Sequence, residues 1–299
     1  MLSILPLALV LLQTPLTPPI QTATYVPNRV FDTAAGKFID FESMVSSLTA
    51  AAVVFVGEQH DDPNTHRLEL AILEGFRRRN VMPLVSLEMF ERDVHGALAD
   101  YLEGRTGEEA TLTVVRPWPR YVTDYRPLVE LARDQRWSVV AANVPRRIAS
   151  LVAKSGRDGL EVLSDSDRAL VARDLQCPLD TYFDRFAATM SDHPGGTQTP
   201  EQQRATTERY YLSQCVKDET MADSIAASYS SRLKDSGPVV HYNGAFHSDF
   251  SLGTAARTMR RLPGKRVVVV SMLPVSDLDA LSPTGEDLKR AQFLVYTVK

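Results

Sequence analysis

Apolar runs and helical periodicity alternate along the chain. The stretch AAVVFVGE at 51–58 is apolar up to Gly57, and the segment NTHRLELAILEGFRRRN follows closely. A continuous apolar run is typical of a strand that is buried on both faces. The next segment repeats apolar residues at helical spacing, namely Leu68, Ala71, Ile72, Gly75 and Phe76. The pattern therefore predicts a central strand and then a helix, with Asn64 or Thr65 as its N-cap and basic residues near its end.

The same alternation continues over most of the chain. Strand-like runs occur at 82–90, 137–144, 238–244, 265–272 and 292–298, and helical patterns occur at 126–136 and 252–262. Strands that alternate with helices at this spacing favour parallel pairing. We therefore predict an α/β fold with a mostly parallel central sheet flanked by helices.

One segment breaks this rhythm. From about residue 156 to residue 209 the sequence is helical or irregular, and SDHPGGTQTPEQQ is its loosest stretch. We interpret it as a helical insertion or cap on a single α/β domain that spans residues 25–299.

The first 24 residues have a different character. MLSILPLALVLL is apolar but too short to span a bilayer, and a Pro/Thr/Gln-rich stretch follows it. The apolar run fits the hydrophobic segment of a signal peptide, and the stretch after it fits a flexible linker. A basic n-region and an A-x-A cleavage site are missing. We expect export to the periplasm or cell envelope; the alternative is a frayed cytosolic N-terminus. No cysteine follows the apolar run, so nothing in the sequence marks a lipid-modified N-terminus, and we make no prediction about membrane association.

The chain has two cysteines, Cys177 and Cys215. In an exported protein a disulfide between them is the favoured state, because oxidising compartments preserve such bonds. The alternative is two buried free thiols.

Composition narrows the range of partners. The 299 residues carry a formal net charge of −4, and 44% of them are hydrophobic. There is no long stripe of Lys and Arg, so we expect no nucleic-acid partner. Glycine-rich phosphate fingerprints, G-x-S-x-G and H-E-x-x-H motifs are also missing from the sequence.

Acid and imidazole groups follow three of the predicted strands. Glu58 and His60 end the first strand, Glu88 lies near the end of the second, and His247 follows the 238–244 strand. Ligands of open α/β sheets bind beyond the carboxyl ends of the strands. Each residue has a structural alternative as a helix cap, surface acid or hydrogen-bonded histidine. Together they predict one shared site.

The residue types indicate two chemistries for this site. Carboxylates and neutral imidazoles bind Zn, Mn or Co, so Glu58, His60 and His247 are the predicted metal ligands, with Glu88 as base or further ligand. The same groups suit general acid–base catalysis near neutral pH.

The remaining polar residues after the first strand are weaker candidates. Asp61 and Asp62 resemble turn residues, and His66 is expected on the exposed first turn of the following helix. Asn143, at the end of another strand, is a further candidate contributor.

The insertion contains a second cluster of aromatic, Met and His residues. Its members are Tyr182, Phe183, Phe186, Met190, His193, Tyr210 and Tyr211. Ordinary helix packing accounts for such spacing. The functional alternative is a lining for a flat apolar ligand such as haem, with His, Tyr or Met available to the iron.

Six stretches, taken in order, resemble one family. VVFVGEQHDDPNTH, VSLEMFERD, DYRPLVELAR, VVAANVPRR, CVKDETMA and HYNGAFHSDF are similar to the ChaN-like haem-binding proteins of the haem-binding-uptake and Tiki superfamily. The resemblance covers roughly Val53 to the C-terminus. It implies an α/β fold with a helical cap, export, and a role in haem or iron acquisition.

The resemblance also implies roles for particular residues. The wider superfamily uses its G-x-x-H and acidic positions for metal-assisted or acid–base hydrolysis, and these correspond here to Glu58, His60, Glu88 and His247. Weaker candidates are Asn143, Arg126 and Asp218. The haem-contact region of the family resembles the segment that holds Met190 and His193.

Two functional hypotheses follow. The first is an exported haem-binding protein in haem or iron uptake, with an axial ligand among His193, Tyr182, Tyr210 and Tyr211. A shallow site in the cap could be completed by a second subunit, which makes a homodimer part of this hypothesis. The alternative is a metal-dependent peptidase or esterase-like hydrolase that uses the strand-end residues. A third reading treats those residues as an inherited polar network without chemistry.

Overall fold

A single sheet of eight strands organises the part of the chain that the structure describes. The structure is a computed structural model, and it describes residues 25–191, 199–234 and 236–299. The strands are β1 (Asn28–Asp32), β2 (Lys37–Ile39), β3 (Val53–Glu58), β4 (Leu84–Glu91), β5 (Val139–Asn143), β6 (Val239–Gly244), β7 (Val267–Val275) and β8 (Phe293–Val298). Their order across the sheet is β2-β1-β8-β7-β3-β6-β4-β5.

The sheet is parallel except at one edge. Strands β3 to β8 pair in parallel, and β1 and β2 form an antiparallel hairpin beside β8. The fold class predicted from the sequence is therefore confirmed. The short hairpin was not predicted, because NRVFD and KFI lack a long apolar run.

Helices cover the sheet. They are α1 (Phe41–Leu48), α2 (Pro63–Arg78), α3 (His95–Leu102), α4 (Glu108–Val115), α5 (Tyr121–Asp124), α6 (Arg126–Asp134), α7 (Arg146–Ser155), α8 (Asp158–Glu161), α9 (Asp165–Arg168), α10 (Thr181–Ser191), α11 (Pro200–Ser231), α12 (Gly253–Arg261) and α13 (Asp287–Arg290). Short 3-10 turns lie at Arg92–Val94, Ala245–His247 and Asp249–Ser251.

The central strand is apolar throughout because both of its faces are covered. Val54 and Val56 pack into one core with residues of α1, α2, α3 and α6. Val53 and Phe55 point the other way, into a second core with residues of α11 and α12. Alternate side chains of a strand face opposite sides of the sheet, so neither set needs a polar residue.

The segment between β5 and β6 forms the helical cap. Its helices run from α7 to α11, and α11 continues to Ser231, past the boundary expected at about residue 209. A disulfide joins Cys177, ahead of α10, to Cys215 within α11. Residues 1–24, for which we predicted a signal peptide and flexible segment, and His193 lie outside the described residues.

The helices of the described residues differ from membrane-spanning helices. None of them combines the length and the apolar composition that crossing a bilayer requires.

Candidate functional site at the carboxyl ends of β3, β4 and β6

The central strands end together at one edge of the sheet. Glu58, the last residue of β3, is the register partner of Gly244, the last residue of β6. From the neighbouring β4, Glu88 accepts a hydrogen bond of 2.8 Å through Oε2 from the backbone N–H of Gly244. Three separate stretches of sequence therefore meet here, because parallel strands carry their carboxyl ends to the same edge.

Glu58 and His60 form the first carboxylate–imidazole pair. Nδ1 of His60 lies 2.5 Å from Oε1 of Glu58, and the hydroxyl of Tyr125 donates to the same oxygen at 3.0 Å. Burial by itself would raise the pKa of Glu58, but hydrogen bonds from His60 and His66 lower that pKa to about 2. Burial lowers the pKa of His60, yet the bond to Glu58 raises it above its ordinary value. The contact therefore favours the charged form of each group.

Close packing fixes the ring of His60. A Cβ atom on Gly244 would lie 2.6 Å from Nε2 of His60, so the imidazole occupies space that only glycine leaves free. Trp118 contacts the ring edge-on, with centroids 5.2 Å apart. The side chain of His60 remains 47% exposed, and its Nε2 makes no hydrogen bond to any residue that the structure describes. This nitrogen is available to a ligand.

His247 forms the second pair, between two acids. Its Nδ1 lies 2.6 Å from Oδ1 of Asp218, and its Nε2 lies 3.2 Å from Oε1 of Glu88. Asp218 in turn accepts hydrogen bonds from the hydroxyls of Tyr182 at 2.9 Å and Thr254 at 2.8 Å. Burial would lower the pKa of His247, but the charges of Glu88 and Asp218 raise it to about 10. The charge of His247 likewise lowers the pKa of Glu88 despite complete burial.

His66 is not where the sequence placed it. Instead of lying on an exposed turn, it is buried, with Nδ1 at 2.9 Å from Oε2 of Glu58 and 3.1 Å from Oε2 of Glu69. The prediction failed because the first turn of α2 packs back beneath the end of β3. Asp62, rather than Asn64 or Thr65, caps α2 by accepting the N–H groups of those two residues. Asp61 is exposed.

Sequence reasoning also missed Glu69 and Asp124. Glu69 is fully buried, and Asp124 lies 3.4 Å from Nε2 of His66 through its Oδ2. A signal for Glu69 was present, because it falls between Thr65 and Ile72 on the buried face of α2. A carboxylate within an apolar stripe is rarely buried without a partner.

A pocket lies directly over these residues. It has a volume of about 520 Å³, which is within the range of small-molecule and cofactor sites. His60 and His247 line it from the strand ends, and Tyr182 and Arg185 line it from the cap. Its other lining residues are Glu58, Gln59, Ala188, Thr189, Gly244, Ala245, Phe246, Asp249, Phe250, Leu252 and Arg290. The pocket thus joins the strand-end residues to the helical cap.

The aromatic residues of the cap differ in burial. Tyr182, Phe183 and Tyr211 form a small buried cluster, in which the hydroxyl of Tyr211 donates to the carbonyl of Pro178 at 2.8 Å. These three residues therefore pack in the way that the structural alternative described. Tyr210 is 43% exposed on α11. Phe186 and Met190 are half-buried on α10.

Of the weaker candidates Asn143 and Arg126, only Asn143 contacts a residue of the strand-end site. Asn143 donates through Nδ2 to the backbone carbonyl of Glu88 at 3.0 Å, so it supports the end of β4. Arg126 instead pairs with Glu108 through Nε at 2.5 Å.

The carboxylates of Glu58 and Asp218 hold the two imidazole rings in similar ways. Both oxygens of Glu58 contact histidines, Oε1 contacting His60 and Oε2 contacting His66. Glu58 is therefore placed to orient His60, as Asp218 orients His247, rather than to bind an ion in the pocket as the sequence suggested. Carboxylates that hold one ring nitrogen leave the other for a metal. Nε2 of His60 is left in this way, whereas Nε2 of His247 contacts Oε1 of Glu88 at 3.2 Å.

Comparisons with known proteins agree with this architecture. Residues 44–258 match the sequence family described as "Haem-binding uptake, Tiki superfamily, ChaN". A solved structure of ChaN from Campylobacter jejuni with cofacially bound haem is similar at 18% identity, with a TM-score of 0.67, over 91% of this chain and 97% of that one. This similarity shows a shared fold. No curated protein sequence matches the chain significantly.

Two further solved structures are more distant. A Bacillus cereus protein has 9% identity and a TM-score of 0.49, over 86% of this chain and 90% of that one. An erythromycin esterase mutant in its open conformation has 12% identity and a TM-score of 0.45, over 86% of this chain and 78% of that one. Scores this low support no inference about function.

Proposed function

The chain belongs to the ChaN family of haem-binding-uptake proteins in the Tiki superfamily, and we propose that it is an exported haem-binding protein that takes part in haem or iron uptake. Family membership is the observation that carries this proposal. Its ligand would be haem, held at the helical cap.

The cap offers the groups that haem requires. A haem site needs apolar contact for the macrocycle and at least one axial donor to the iron. Phe186 and Met190 are partly accessible on α10. Among the described tyrosines of the predicted set, Tyr210 has the accessible side chain, whereas the hydroxyls of Tyr182 and Tyr211 are already donated to Asp218 and Pro178. We therefore favour Tyr210 or His193 as the axial ligand.

Two features support export and a shared site. The Cys177–Cys215 disulfide is the kind of bond that persists in oxidising compartments such as the periplasm. The Campylobacter jejuni relative binds haem cofacially. A haem held on an exposed face of the cap would be shielded by a second copy of the chain, so we expect haem to favour a homodimer.

Haem titration tests this proposal. Addition of haem to micromolar protein should produce a shifted Soret band, and Tyr210→Phe or His193→Ala should change its position or amplitude. Tyr211→Phe is the matched control, because it removes a buried hydroxyl one residue away. A spectrum equal to that of free haem in the wild type would refute haem binding. Light scattering measures the molar mass with and without haem, and we expect haem to increase the fraction of homodimer.

The strand-end residues support a second candidate function, a metal-dependent hydrolase of peptides or esters. The supporting observation is the free Nε2 of His60, which lies in the same pocket as His247 and beside two orienting carboxylates. Imidazole and carboxylate are the kinds of ligand that Zn, Mn or Co takes, and His60, His247 and Glu88 are the candidates for this role. A metal there would supply an activated water at neutral pH.

The residues of the chain would contribute orientation and proton transfer to such a reaction. Glu58 and Asp218 hold the two imidazole rings, and Tyr182 fixes Asp218 from the cap. Metal analysis of protein purified without chelator, together with peptide and ester substrates, tests this candidate. Absence of both bound metal and metal-stimulated hydrolysis would exclude it.

A further inference from the structure

Three donor atoms converge beneath β3, outside the pocket. Nδ1 of His66 lies 2.9 Å from Oε2 of Glu58 and 3.1 Å from Oε2 of Glu69. One donor atom from each of the three residues lies within 4.8 Å of the others, and all three side chains are buried. Donors about 2.1 Å from a single ion are about 3 Å apart when they subtend a right angle. The spacing therefore suits one small cation.

The hydrogen bond of Nε2 determines which nitrogen of a neutral His66 ring carries the proton. Nε2 lies 3.2 Å from the backbone carbonyl of His60. A carbonyl only accepts hydrogen bonds, so Nε2 carries a proton. In the neutral ring Nδ1 then directs a lone pair at the two carboxylates. Metal-binding histidines use the same arrangement, in which the other ring nitrogen donates to a carbonyl or carboxylate.

A proton on Nδ1 would not supply hydrogen bonds to both carboxylates of this cluster. A single N–H can point at only one of the two carboxylates, and Oε1 of Glu69 is buried without a hydrogen-bond partner among the described residues. Unpaired buried carboxylate oxygens are costly. A divalent ion with a neutral imidazole would balance the charge of both carboxylates.

We propose that Glu58, His66 and Glu69 form a buried binding site for a divalent first-row transition metal ion. One nitrogen and two carboxylate oxygens form a ligand set suited to Zn²⁺, Mn²⁺ or Fe²⁺. The hydroxyl of Tyr125 holds the remaining oxygen of Glu58 at 3.0 Å. The site is independent of haem binding, and it differs from the pocket site in its histidine and in the nitrogen that binds.

Glu58 gives this site a connection to the pocket. Its Oε2 faces His66 while its Oε1 holds His60, the exposed imidazole of the pocket. An ion at the buried site would fix the carboxylate plane of Glu58 and, through it, the ring of His60. The buried metal would thus be a structural support for the residues above it.

Metal titration of the full chain provides the first test. Chelator-treated protein is titrated with Zn²⁺ and with Mn²⁺, and stoichiometry and affinity are measured by calorimetry. We expect Glu69→Gln and His66→Gln to weaken one equivalent by more than about 100-fold, since loss of a ligand exceeds the roughly 10–100-fold cost of losing a supporting partner. His95→Gln, at an exposed histidine that lies in neither site, is the matched control and should retain that equivalent. Unchanged binding in both Glu69→Gln and His66→Gln overturns the proposal.

A second measurement needs no variant and so does not depend on folding of the mutants. Nitrogen NMR of the wild type with labelled histidine distinguishes binding through Nδ1 from binding through Nε2. The buried site requires a Zn²⁺-induced shift at an Nδ1 atom, because Nε2 of His66 is committed to the carbonyl of His60. Shifts confined to Nε2 atoms would assign all bound metal to His60 and His247 and would overturn the proposal. Absence of any binding would do the same.

Discussion

Glu58 Oε1 lies 2.5 Å from Nδ1 of His60, and this contact turns the far nitrogen of the ring away from the carboxylate. The pair Asp218 and His247 repeats the relationship at 2.6 Å, between α11 and the 3-10 turn that follows β6. Two carboxylate-oriented imidazoles thus border one pocket. A carboxylate that binds one ring nitrogen fixes the tautomer of the ring and raises the basicity of the other nitrogen. Both effects favour a role as metal ligand or general base.

Glu58→Gln should remove the charged contact that orients the ring of His60. The amide carries no charge, so the pKa of His60 is expected to fall from its raised value, because burial still lowers it and the charge of Glu58 no longer raises it. Metal affinity in the pocket should weaken by about 10–100-fold. NMR titration of the His60 ring measures the first effect, and calorimetry measures the second. Glu109→Gln, at an exposed acid of α4 outside the pocket, is the control. Unaltered metal-stimulated hydrolysis in Glu58→Gln would remove the support for the hydrolase.

His247→Gln should destabilise the protein in a pH-dependent manner. Loss of one partner from a buried ion pair costs about 3–5 kcal/mol of unfolding free energy. Because the pKa of His247 is raised to about 10, its contribution is complete below about pH 6.5 and disappears as pH rises through 10. The pKa of Glu88 is lowered, so its contribution is complete above about pH 4.5 and disappears in acid.

Denaturant unfolding of wild type and His247→Gln between pH 4 and pH 10 measures this difference. The gap between the two proteins should be largest near pH 5–6 and should shrink at alkaline pH. A gap that stays constant up to pH 10 would mean that His247 contributes by packing and not as an imidazolium.

Gly244→Ala should displace the ring of His60. The added Cβ would lie 2.6 Å from Nε2 and 2.8 Å from Cε1, so the imidazole must rotate out of its contact with Glu58. We expect weaker ligand binding in the pocket and a lower pKa of His60, with overcrowding costing about 1–3 kcal/mol of stability. Gly285→Ala is the matched control, because its Cβ meets no atom within 4 Å. Equal ligand affinity in both variants would contradict the role assigned to Gly244.

Reduction of the Cys177–Cys215 disulfide should loosen the cap. The bond closes a loop across 38 residues, and the chain-entropy relation gives about 4 kcal/mol of stabilisation for a loop of that length. Thermal unfolding with and without a thiol reductant measures the loss. The double variant Cys177→Ser with Cys215→Ser should match the reduced protein and should not respond to the reductant. If the reductant leaves the unfolding temperature of the wild type unchanged, the cap does not depend on the bond.

Much of the fold was predictable because its signals are local. The strand β3 and the helix α2 were recognised from a continuous apolar run and from helical spacing, and the observed bounds differ by a few residues. The hairpin of β1 and β2 was not recognised, because edge strands of three to five residues have little periodicity. The length of α11 was also missed, since its sequence mixes polar and apolar residues on all sides.

The candidate site was partly predictable for a related reason. Glu58, His60, Glu88 and His247 were found because each follows an apolar strand, and parallel topology carries strand ends to one edge. Asp218 was suggested only by family resemblance. His66 and Glu69 were not assigned to a shared site, because partners that lie across an element boundary leave no periodic signal.

By itself the sequence determined the element order, the parallel sheet and the edge at which polar groups collect, because these follow from apolar periodicity and chain connectivity. Only the tertiary structure decided which group meets which. It assigned one oxygen of Glu58 to His60 and the other to His66, and it gave His247 its two acids. Such pairings depend on directions and distances of a few ångströms between residues far apart in the chain. Side-chain packing fixes these distances, and the order of residues does not encode them individually.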